Sequence, residues 1–343
     1  MSTLSNIVNI GELAFPASQS TEEKLKYLLN YAVLAPSSHN TQPWQFKIEN
    51  DTIYFKADRT RSLSIADPEG RELIISCGTA LFNLRIALHH FGYAGKIITF
   101  PDPNLPDLLA CIQLGNPVRE SDDEHMLFEA IQRRHTNRGY FEDWDVPESL
   151  LDWLKADASA EGVWMYKVKC NTKRQLIGDL VVQADHLQME NPDFRRELAT
   201  WMRKADSSSH DGIPSYAFGV SQYLDFATPI FALVMRTFNL GNTIAERSRQ
   251  LVTQSPVIVV LGTSSDTSAD WLKAGQALER ILLRAETVGL SASFLNQAIQ
   301  VPSVRNQISK MTEISGFPQI ILRMGFGSQV KPTPRRAVDE VVN

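Results

Sequence analysis

The feature that most constrains this fold is a repeat within the chain. Residues 77–81 read CGTAL and residues 274–278 read AGQAL, and a glycine follows each segment at the same offset, Gly92 or Gly289. In both copies the apolar spacing is that of a tightly packed helix that ends at the glycine. The order and spacing favour a tandem duplication, although two unrelated packed helices could share so few identities. A duplicated chain predicts two similar halves.

Length and composition indicate an ordinary globular protein. The chain has 343 residues, 43% of them hydrophobic and 21% charged, and its net charge of -5 argues against a nucleic-acid partner. Its three cysteines are far apart, which fits a reducing cytoplasm and provides no disulfide framework. The histidines lack metal-ligand spacing, so we expect no metal. Without a signal sequence or a membrane-length apolar run, we expect a cytoplasmic protein that does not bind membranes.

Two polar stretches are candidates for a binding site. Residues 133–138, RRHTNR, follow an amphipathic helical run and could bind an oxyanion, because arginine offers planar, charge-assisted hydrogen bonds. Taken alone, they could equally be a solvated basic helix end that complements the helix dipole. Residues 35–44, APSSHNTQPW, form a polar turn between a helix and a strand. We name these stretches the arginine segment and the polar turn.

The two predicted halves differ at these stretches. The polar turn occurs only in the first half and the arginine segment only in the second. Two complementary half-sites in a duplicated chain predict one composite site where the halves meet. The predicted division is a lead-in at residues 1–20, a first half at 21–120 and a second half at 121–343. Within the second half, residues 192–250 include a long stretch of turn residues, where we expect a lid.

Apolar spacing and turn residues also predict the secondary structure. In chain order we expect a helix at 24–34, a hairpin at 44–57, a helix at 71–92, a strand at 109–114, helices at 126–131 and from 147, a strand at 162–168, helices at 174–191 and 194–204, a strand at 256–262, a helix at 271–289 and a strand at 319–324. Residues 205–250 give no clear pattern.

These stretches resemble the nitroreductase superfamily of FMN-dependent flavoproteins. In that family a helix with the pattern R-x-S-x-[RK] binds the flavin, and an A-P-S-S-x-N-x-Q-P-W turn reaches it from the other subunit of a homodimer. Residues 134–138 are similar to the first pattern, with Thr136 in the serine place, and residues 35–44 match the second. Two fused halves with one flavin site resemble the Acg-type FMN-binding subgroup. The resemblance implies an α+β fold of two pseudo-twofold-related halves, each with an antiparallel sheet flanked by helices.

The resemblance also implies which residues bind FMN. Arg134, Thr136 and a tail arginine would contact the phosphate and the ribityl chain. Arg138 would lie near the flavin N1, and backbone donors of residues 294–297 near N5, although that segment could instead be a plain helix-to-loop connection. The predicted FMN-binding residues are Pro36, Ser37, Ser38, Asn40, Gln42, Arg133, Arg134, His135, Thr136, Arg138, Phe294, Leu295, Asn296, Gln297, Arg323, Arg335 and Arg336. Gln42 and Pro36 could be structural, and His135 could be a solvated helix end.

The function that the resemblance implies is that of an FMN-dependent oxidoreductase. It would move hydride from NAD(P)H through flavin N5, the reactive centre, to a nitroaromatic, quinone or related small-molecule acceptor, and no side chain is predicted as catalytic. The alternative is a protein that binds or sequesters FMN under its lid without reductase turnover. A third possibility is a duplicated fold that has lost its flavin and serves in interactions. Because one chain supplies both half-sites, a monomeric pseudo-dimer and a homodimer are both compatible with the sequence.

Overall fold

The computed structural model describes residues 14–168, 170–204, 207–218 and 228–343, so most of the predicted lead-in and parts of the predicted lid lie outside it. The α-helices of the described residues are α1 (Thr21–Ala32), α2 (Arg71–His90), α3 (Asp122–Ile131), α4 (Glu148–Ala160), α5 (Asn171–Glu190), α6 (Pro192–Thr200), α7 (Thr228–Thr237), α8 (Gly241–Thr253), α9 (Ser268–Thr287), α10 (Gln297–Gln300) and α11 (Pro302–Thr312). The β-strands are β1 (Trp44–Glu49), β2 (Thr52–Ala57), β3 (Tyr93–Thr99), β4 (Leu108–Pro117), β5 (Trp164–Lys167), β6 (Met202–Arg203), β7 (Ile213–Pro214), β8 (Val257–Thr263), β9 (Leu290–Phe294) and β10 (Phe317–Phe326).

Two four-stranded sheets form the framework. The first has the strand order β1-β2-β4-β3 and the second has the order β5-β8-β10-β9. Every neighbouring pair in these two sheets is antiparallel, whereas β6 and β7 form a separate short parallel pair. Helices pack on both sheets through shared apolar cores. The predicted α+β fold class, with an antiparallel sheet in each half, is confirmed.

The repeated glycines mark the place where α2 and α9 cross. A Cβ atom added to Gly78 would lie 2.8 Å from the Cα of Gly275, and one added to Gly275 would lie 2.0 Å from the carbonyl oxygen of Ile75. Such distances are below any real contact of a Cβ atom, so the two backbones can approach this closely only without side chains. The repeat seen in the sequence is therefore the contact between the central helices of the two halves.

The first sheet carries its own apolar core. Buried residues of α1 and α2 pack on it together with Leu127 and Phe128 of α3. The C-terminal tail returns to the same core, where Val341 is buried and Val342 forms a bridge to Phe46 of β1. Segments from both sides of the predicted boundary at residue 120 thus complete this core, and the boundary itself stays a prediction.

Several elements lie where the sequence pattern gave no clear prediction. β3 and β9 are both edge strands, and neither has a strict alternation of buried and exposed residues that would identify it. The region predicted as a lid contains α7 and α8 besides the expected helix, α6. Within the described ranges, no helix combines the length and the apolar character that crossing a membrane requires.

Candidate functional site

The polar turn has an unusual backbone. His39, Asn40 and Gln42 have φ angles of 49°, 55° and 50°, in the left-handed region that residues with a Cβ atom rarely adopt. Asparagine and histidine tolerate this region better than most residues, but three such residues within four positions are costly. Contacts with the rest of the protein must therefore hold the turn in this shape.

Part of that support comes from α2. The hydroxyl group of Ser38 donates to Oε2 of Glu72 at 2.7 Å, and Glu72 is 2% exposed. Ser37 acts within the turn, where its Oγ accepts from the backbone N–H of Gln42 at 2.9 Å. Glu72 also accepts from Nε2 of Gln300 at 2.9 Å. Both serines predicted to bind FMN thus also have structural contacts. Ser38 connects the turn to α2, and Ser37 stabilises the turn internally.

Asn40 connects three parts of the chain. Its Nδ2 donates to the carbonyl oxygens of Gly212 at 3.0 Å and of Pro334 at 3.1 Å, and its Oδ1 accepts from Nη1 of Arg335 at 3.0 Å. The backbone N–H of Gly212 in turn donates to the carbonyl oxygen of Asn40 at 3.2 Å. Asn40 therefore links the polar turn to the C-terminal tail and to the segment before β7.

Gln42 also has structural contacts, and it is fully buried. Its Nε2 donates to the carbonyl oxygen of His210 at 2.7 Å, and its Oε1 accepts from the backbone N–H of Arg336 at 2.8 Å. The side chain of Arg336 donates to the carbonyl oxygens of Gln42 and Glu340. Neither Gln42 nor Arg336 lies in the wall of the cavity described below.

The first half of the arginine segment faces away from that cavity. Arg133 is exposed and pairs with Glu129 at 3.4 Å. Arg134 is buried, and its Nε lies 3.5 Å from a carboxylate oxygen of the buried Glu279. Burial and the positive charge of nearby arginines lower the pKa of His135 to about 4, so this side chain is neutral at neutral pH.

The second half of the arginine segment turns toward the cavity because it pairs with an edge strand. Thr136 forms a bridge with Ala292 of β9, and the backbone N–H of Asn137 donates to the Ala292 carbonyl oxygen at 3.0 Å. Thr136 and Arg138 both line the cavity. On β10, Nη2 of Arg323 donates to the carbonyl oxygen of Asn137 at 3.2 Å.

Together these elements enclose a cavity of about 470 Å³. The predicted FMN-binding residues in its wall are Pro36, Ser37, Ser38, Asn40, Thr136, Arg138, Phe294, Leu295, Asn296, Gln297, Arg323 and Arg335. The predicted residues outside its wall are Gln42, Arg133, Arg134, His135 and Arg336. The cavity thus joins the polar turn, the end of the arginine segment and the start of α10, which are far apart in the sequence.

One side of the cavity is strongly positive. Burial lowers the pKa of Arg138, and no hydrogen bond or ion pair of its guanidinium group occurs within the described part of the chain. Burial, with repulsion from Arg247 and Arg138, lowers the pKa of Arg323 to about 10, and its buried Nη1 has no partner there either. Burial and the nearby Arg134 lower the pKa of Arg335 to about 9. Desolvated, mutually repelling cations favour a bound anion.

The other side of the cavity is apolar and comes from the predicted lid and its neighbours. The apolar residues that this region contributes are Met189, Phe194, Leu198, Ile213, Met235, Leu240, Ile244 and Leu251. Several of them also form a separate small core with Leu63 and Ala66. A cavity with one cationic and one apolar side suits a flat, partly aromatic ligand that carries an anionic group.

A possible ligand cluster lies away from this cavity. His90 at the end of α2, Glu120 and His125 of α3 place one ligand atom each within 4.8 Å of one another. The carboxylate of Glu120 forms a hydrogen bond with Nδ1 of each histidine at 3.0 Å. Sequence spacing did not indicate this cluster because the two histidines belong to different helices, and the absence of a metal stays a prediction.

Sequence comparison with known proteins gives a consistent family. A Mycobacterium tuberculosis protein named "Putative NAD(P)H nitroreductase Rv3131" is 31% identical over 339 residues, which cover 95% of this chain and 94% of that protein. This chain belongs to the NAD(P)H nitroreductase family. Another family member from M. tuberculosis, "Putative NAD(P)H nitroreductase acg", is 27% identical over 95% of this chain and 97% of its own length. No protein-family model matches the chain.

Comparison with solved structures finds several nitroreductases. The nitroreductase NfnB from sphigopyxis sp. strain HMH, described as FMN- and NADPH-dependent, aligns with 63% of this chain and 97% of its own. The sequence identity is 19% and the TM-score is 0.43.

Sequence reasoning missed four charged residues of this nitroreductase family member. Glu72, Asp185 and Arg247 line the cavity, and Glu279 lies behind it against Arg134. Asp185 could have been noticed, because it continues the buried helical face of Ile177 and Val181 at intervals of four residues. Glu72 gave no such signal, since an acidic residue in the first turn of a helix is normally solvated.

Proposed function

We propose that this nitroreductase family member binds FMN in its cavity and uses it to oxidise NAD(P)H. The proposal depends on two arginines in the cavity wall, Arg138 and Arg323. Both residues line the cavity, Arg138 has no ion pair within the described residues, and Nη1 of Arg323 is buried without a partner. An unpaired buried cation is costly, so a ligand that supplies negative charge at this position stabilises the folded protein.

The residues present fit FMN in chemistry as well as in charge. The cavity of about 470 Å³ lies within the usual range for cofactor pockets, and its apolar side suits the flat isoalloxazine ring. The polar side offers guanidinium and hydroxyl donors from Arg335 and Thr136, and the amide oxygen of Asn40 as an acceptor, since its Nδ2 already donates to Gly212 and Pro334. These groups are suited to a phosphate and a polyol, because charge-assisted hydrogen bonds are the strongest that a protein offers.

We assign roles to the predicted residues accordingly. Arg335, Thr136 and Asn40 hold the phosphate and the ribityl chain, together with Ser37 and Ser38 of the polar turn. Arg138 and Arg323 would lie toward the ring of a bound FMN, and the segment 294–297 would be near its reactive edge. Arg134 contributes electrostatically rather than by contact, whereas Arg133, which is exposed, and His135, which is neutral at neutral pH, are not assigned a role in binding. Gln42, Arg336 and Pro36 keep the turn and tail in shape.

When bound, FMN supplies the hydride and electron chemistry, which belongs to the cofactor rather than to the protein. The chain's own contribution is to orient the cofactor, to place positive charge where negative charge develops, and to exclude water with the apolar wall. The substrates that we propose are NAD(P)H and a small nitroaromatic, quinone or related acceptor.

FMN titration into the purified apoprotein tests the cofactor assignment. Because a hydrogen bond to a charged group contributes about 1.5–3 kcal/mol, Arg138→Ala is expected to raise the Kd for FMN roughly 10-fold to 100-fold. Arg138→Lys keeps the charge and should retain part of the affinity. Arg133→Ala, at the exposed end of the same segment, is the matched control and should bind like the wild type. Equal affinity of Arg138→Ala and the wild type would contradict the proposal.

A second function is favoured by the contacts between the predicted lid and the polar turn. Asn40 bonds Gly212, Gln42 bonds His210, and Arg61 forms an ion pair with Asp211. We name these three contacts the latch. If the latch keeps the apolar wall closed, the protein binds or sequesters FMN without reductase turnover. Steady-state oxidation of NAD(P)H with quinone and nitroaromatic acceptors separates the two functions, because only the first predicts turnover.

A further inference from the structure

A buried carboxyl group faces the cavity from α5. Asp185 is 5% exposed, lines the cavity, and has no hydrogen-bond partner for its Oδ2 among the described residues. Carboxyl groups are rarely buried in this way, because burial penalises the charged form. The fold itself does not call for a charge here, since Ile177 and Val181 occupy the equivalent positions in the two preceding turns.

Groups from three helices face Asp185. Ser248 of α8 and Gln297 of α10 hydrogen-bond to it, and His186 is its neighbour on α5. Burial raises the pKa of Asp185 to about 6, although these hydrogen bonds and His186 act in the opposite direction. The other charged groups on the cavity wall are Glu72, Arg138, Arg247, Arg323 and Arg335.

The position of Asp185 is fixed relative to the proposed cofactor site. Its partner Gln297 belongs to the segment 294–297, which lines the cavity. One turn further along both helices, Nε2 of Gln188 donates to Oε1 of Gln300 at 2.7 Å. These two side-chain links hold α5 against α10, so the carboxyl group of Asp185 is held beside the segment that we assign to the reactive edge of FMN.

We propose that Asp185 donates the proton that accompanies hydride transfer to the acceptor. This inference rests on the proposed FMN-dependent function. For a quinone, the acceptor gains two electrons and one proton as a hydride equivalent that originates in NAD(P)H, and a second proton comes from the carboxyl group of Asp185. The O–H bond of Asp185 breaks as an O–H bond forms on the quinone oxygen. The carboxylate regains its proton from water, so NAD(P)H, one proton and a quinone give NAD(P)⁺ and a hydroquinone.

The chemistry suits this residue. A proton donor is most effective when its pKa lies near the pH at which it works, and a carboxyl group in water is too acidic for that. Burial of Asp185 corrects this by raising its pKa, and the residue lies in the wall of the cavity that an acceptor would enter.

Two acceptors separate proton delivery from electron delivery. p-Benzoquinone needs a proton, whereas ferricyanide accepts a single electron and no proton. With FMN-loaded protein, Asp185→Asn is expected to lower kcat for p-benzoquinone roughly 100-fold, the usual contribution of a general acid, and to leave ferricyanide reduction unchanged. Asp185→Glu should restore quinone reduction in part. Asp179→Asn, an exposed carboxyl on the same helix that pairs with Arg249, is the matched control and should be unchanged with both acceptors.

A second readout does not depend on turnover. The infrared difference spectrum between the wild type and Asp185→Asn should contain the carbonyl band of a protonated carboxylic acid, which disappears as the pH rises through about 6. The same titration should appear in the pH profile of the wild type with p-benzoquinone, whose rate falls above that pH, but not with ferricyanide. This profile tests the inference even if Asp185→Asn does not fold.

The outcomes are distinct. Equal losses for both acceptors in Asp185→Asn, or unchanged quinone reduction, would overturn the role of Asp185 while leaving the FMN-dependent function intact. Failure of the loaded wild type to reduce either acceptor would overturn both. Selective loss of quinone reduction, together with the titrating infrared band, would support proton delivery by Asp185.

Discussion

Glu279 of α9 lies 3.5 Å from the Nε atom of Arg134, and the two side chains are 0% and 4% exposed. No hydrogen bond of good geometry reaches either carboxylate oxygen of Glu279 or the Arg134 Nε within the described ranges, although Asn83 lies close enough to lower the pKa of this carboxyl group. Arg335 is close enough to influence the same carboxyl group. Behind the positive side of the cavity there is therefore a buried acid that balances two of the arginines.

Stability should depend on pH through this acid. Burial raises the pKa of Glu279 to about 7 from its ordinary 4.5, despite the opposing effect of Arg134 and Arg335. A carboxyl whose pKa is higher in the folded state holds its proton more tightly there. The contribution of Glu279 to the free energy of unfolding should consequently fall, by roughly 3 kcal/mol, as the pH rises from about 4.5 to about 7. Because His39, His135 and Asp185 also have shifted pKa values in this range, the contribution is measured as the difference in denaturant unfolding between the wild type and Glu279→Gln at each pH, and this difference should change by that amount.

The same substitution should affect FMN binding. Above about pH 7 the ionised Glu279 competes with the FMN phosphate for Arg134 and Arg335. Glu279→Gln should therefore bind FMN more tightly than the wild type at alkaline pH and similarly at acidic pH. Titrations at several pH values measure this. A constant ratio of the two affinities across the pH range would show that Glu279 is not coupled to the site.

The contact between α2 and α9 gives a prediction about stability alone. Gly275→Ala would place a Cβ atom 2.0 Å from the Ile75 carbonyl oxygen, so the helices must separate and the free energy of unfolding should fall by about 2–4 kcal/mol. Gly178→Ala in α5 is the matched control, because its Cβ would lie 3.5 Å from Val252, an ordinary contact. Alanine there should stabilise the helix by up to about 1 kcal/mol. Equal effects at both positions would contradict the close crossing.

The latch gives a prediction about access to the cavity. Asp211 pairs with Arg61 and Arg203; burial tends to raise its pKa, but hydrogen bonds from Ser209 and Arg61 lower it overall. Asp211→Ala removes these contacts, which should stabilise the closed state of the latch by about 1–2 kcal/mol. The population with an open latch and the rate of FMN release should therefore increase roughly tenfold. Asp193→Ala, which removes an exposed pair with Arg196, is the control. An unchanged release rate would mean that the latch does not control access.

The sequence predicted the elements whose pattern is strong. The glycine repeat indicated the contact of α2 with α9, and the apolar runs gave β8 and β10 at the centre of the second sheet. The polar turn and Arg138 were both selected as site residues, and both lie in the wall of one cavity. The family assignment rested on the same stretches.

What the sequence did not predict depends on tertiary contacts. The direction of each arginine in residues 133–138 follows from the bridge between Thr136 and Ala292, and β9, which contains Ala292, is an edge strand without a clear pattern. Arg134 therefore turns inward to Glu279, whereas Arg138 reaches the cavity. The burial of Asp185 likewise follows from the packing of α8 and α10 on α5, and these contacts are remote in sequence.

The most direct test of the central claim, an FMN-dependent reductase, is anaerobic mixing of the FMN-loaded protein with excess NADPH or NADH. The measured signal is the visible absorption band of oxidised flavin. We predict rapid bleaching with at least one nicotinamide and recovery of the band when p-benzoquinone is added. A band that is present but stays unbleached with both nicotinamides would contradict the reductase function and favour a protein that holds FMN under a closed wall.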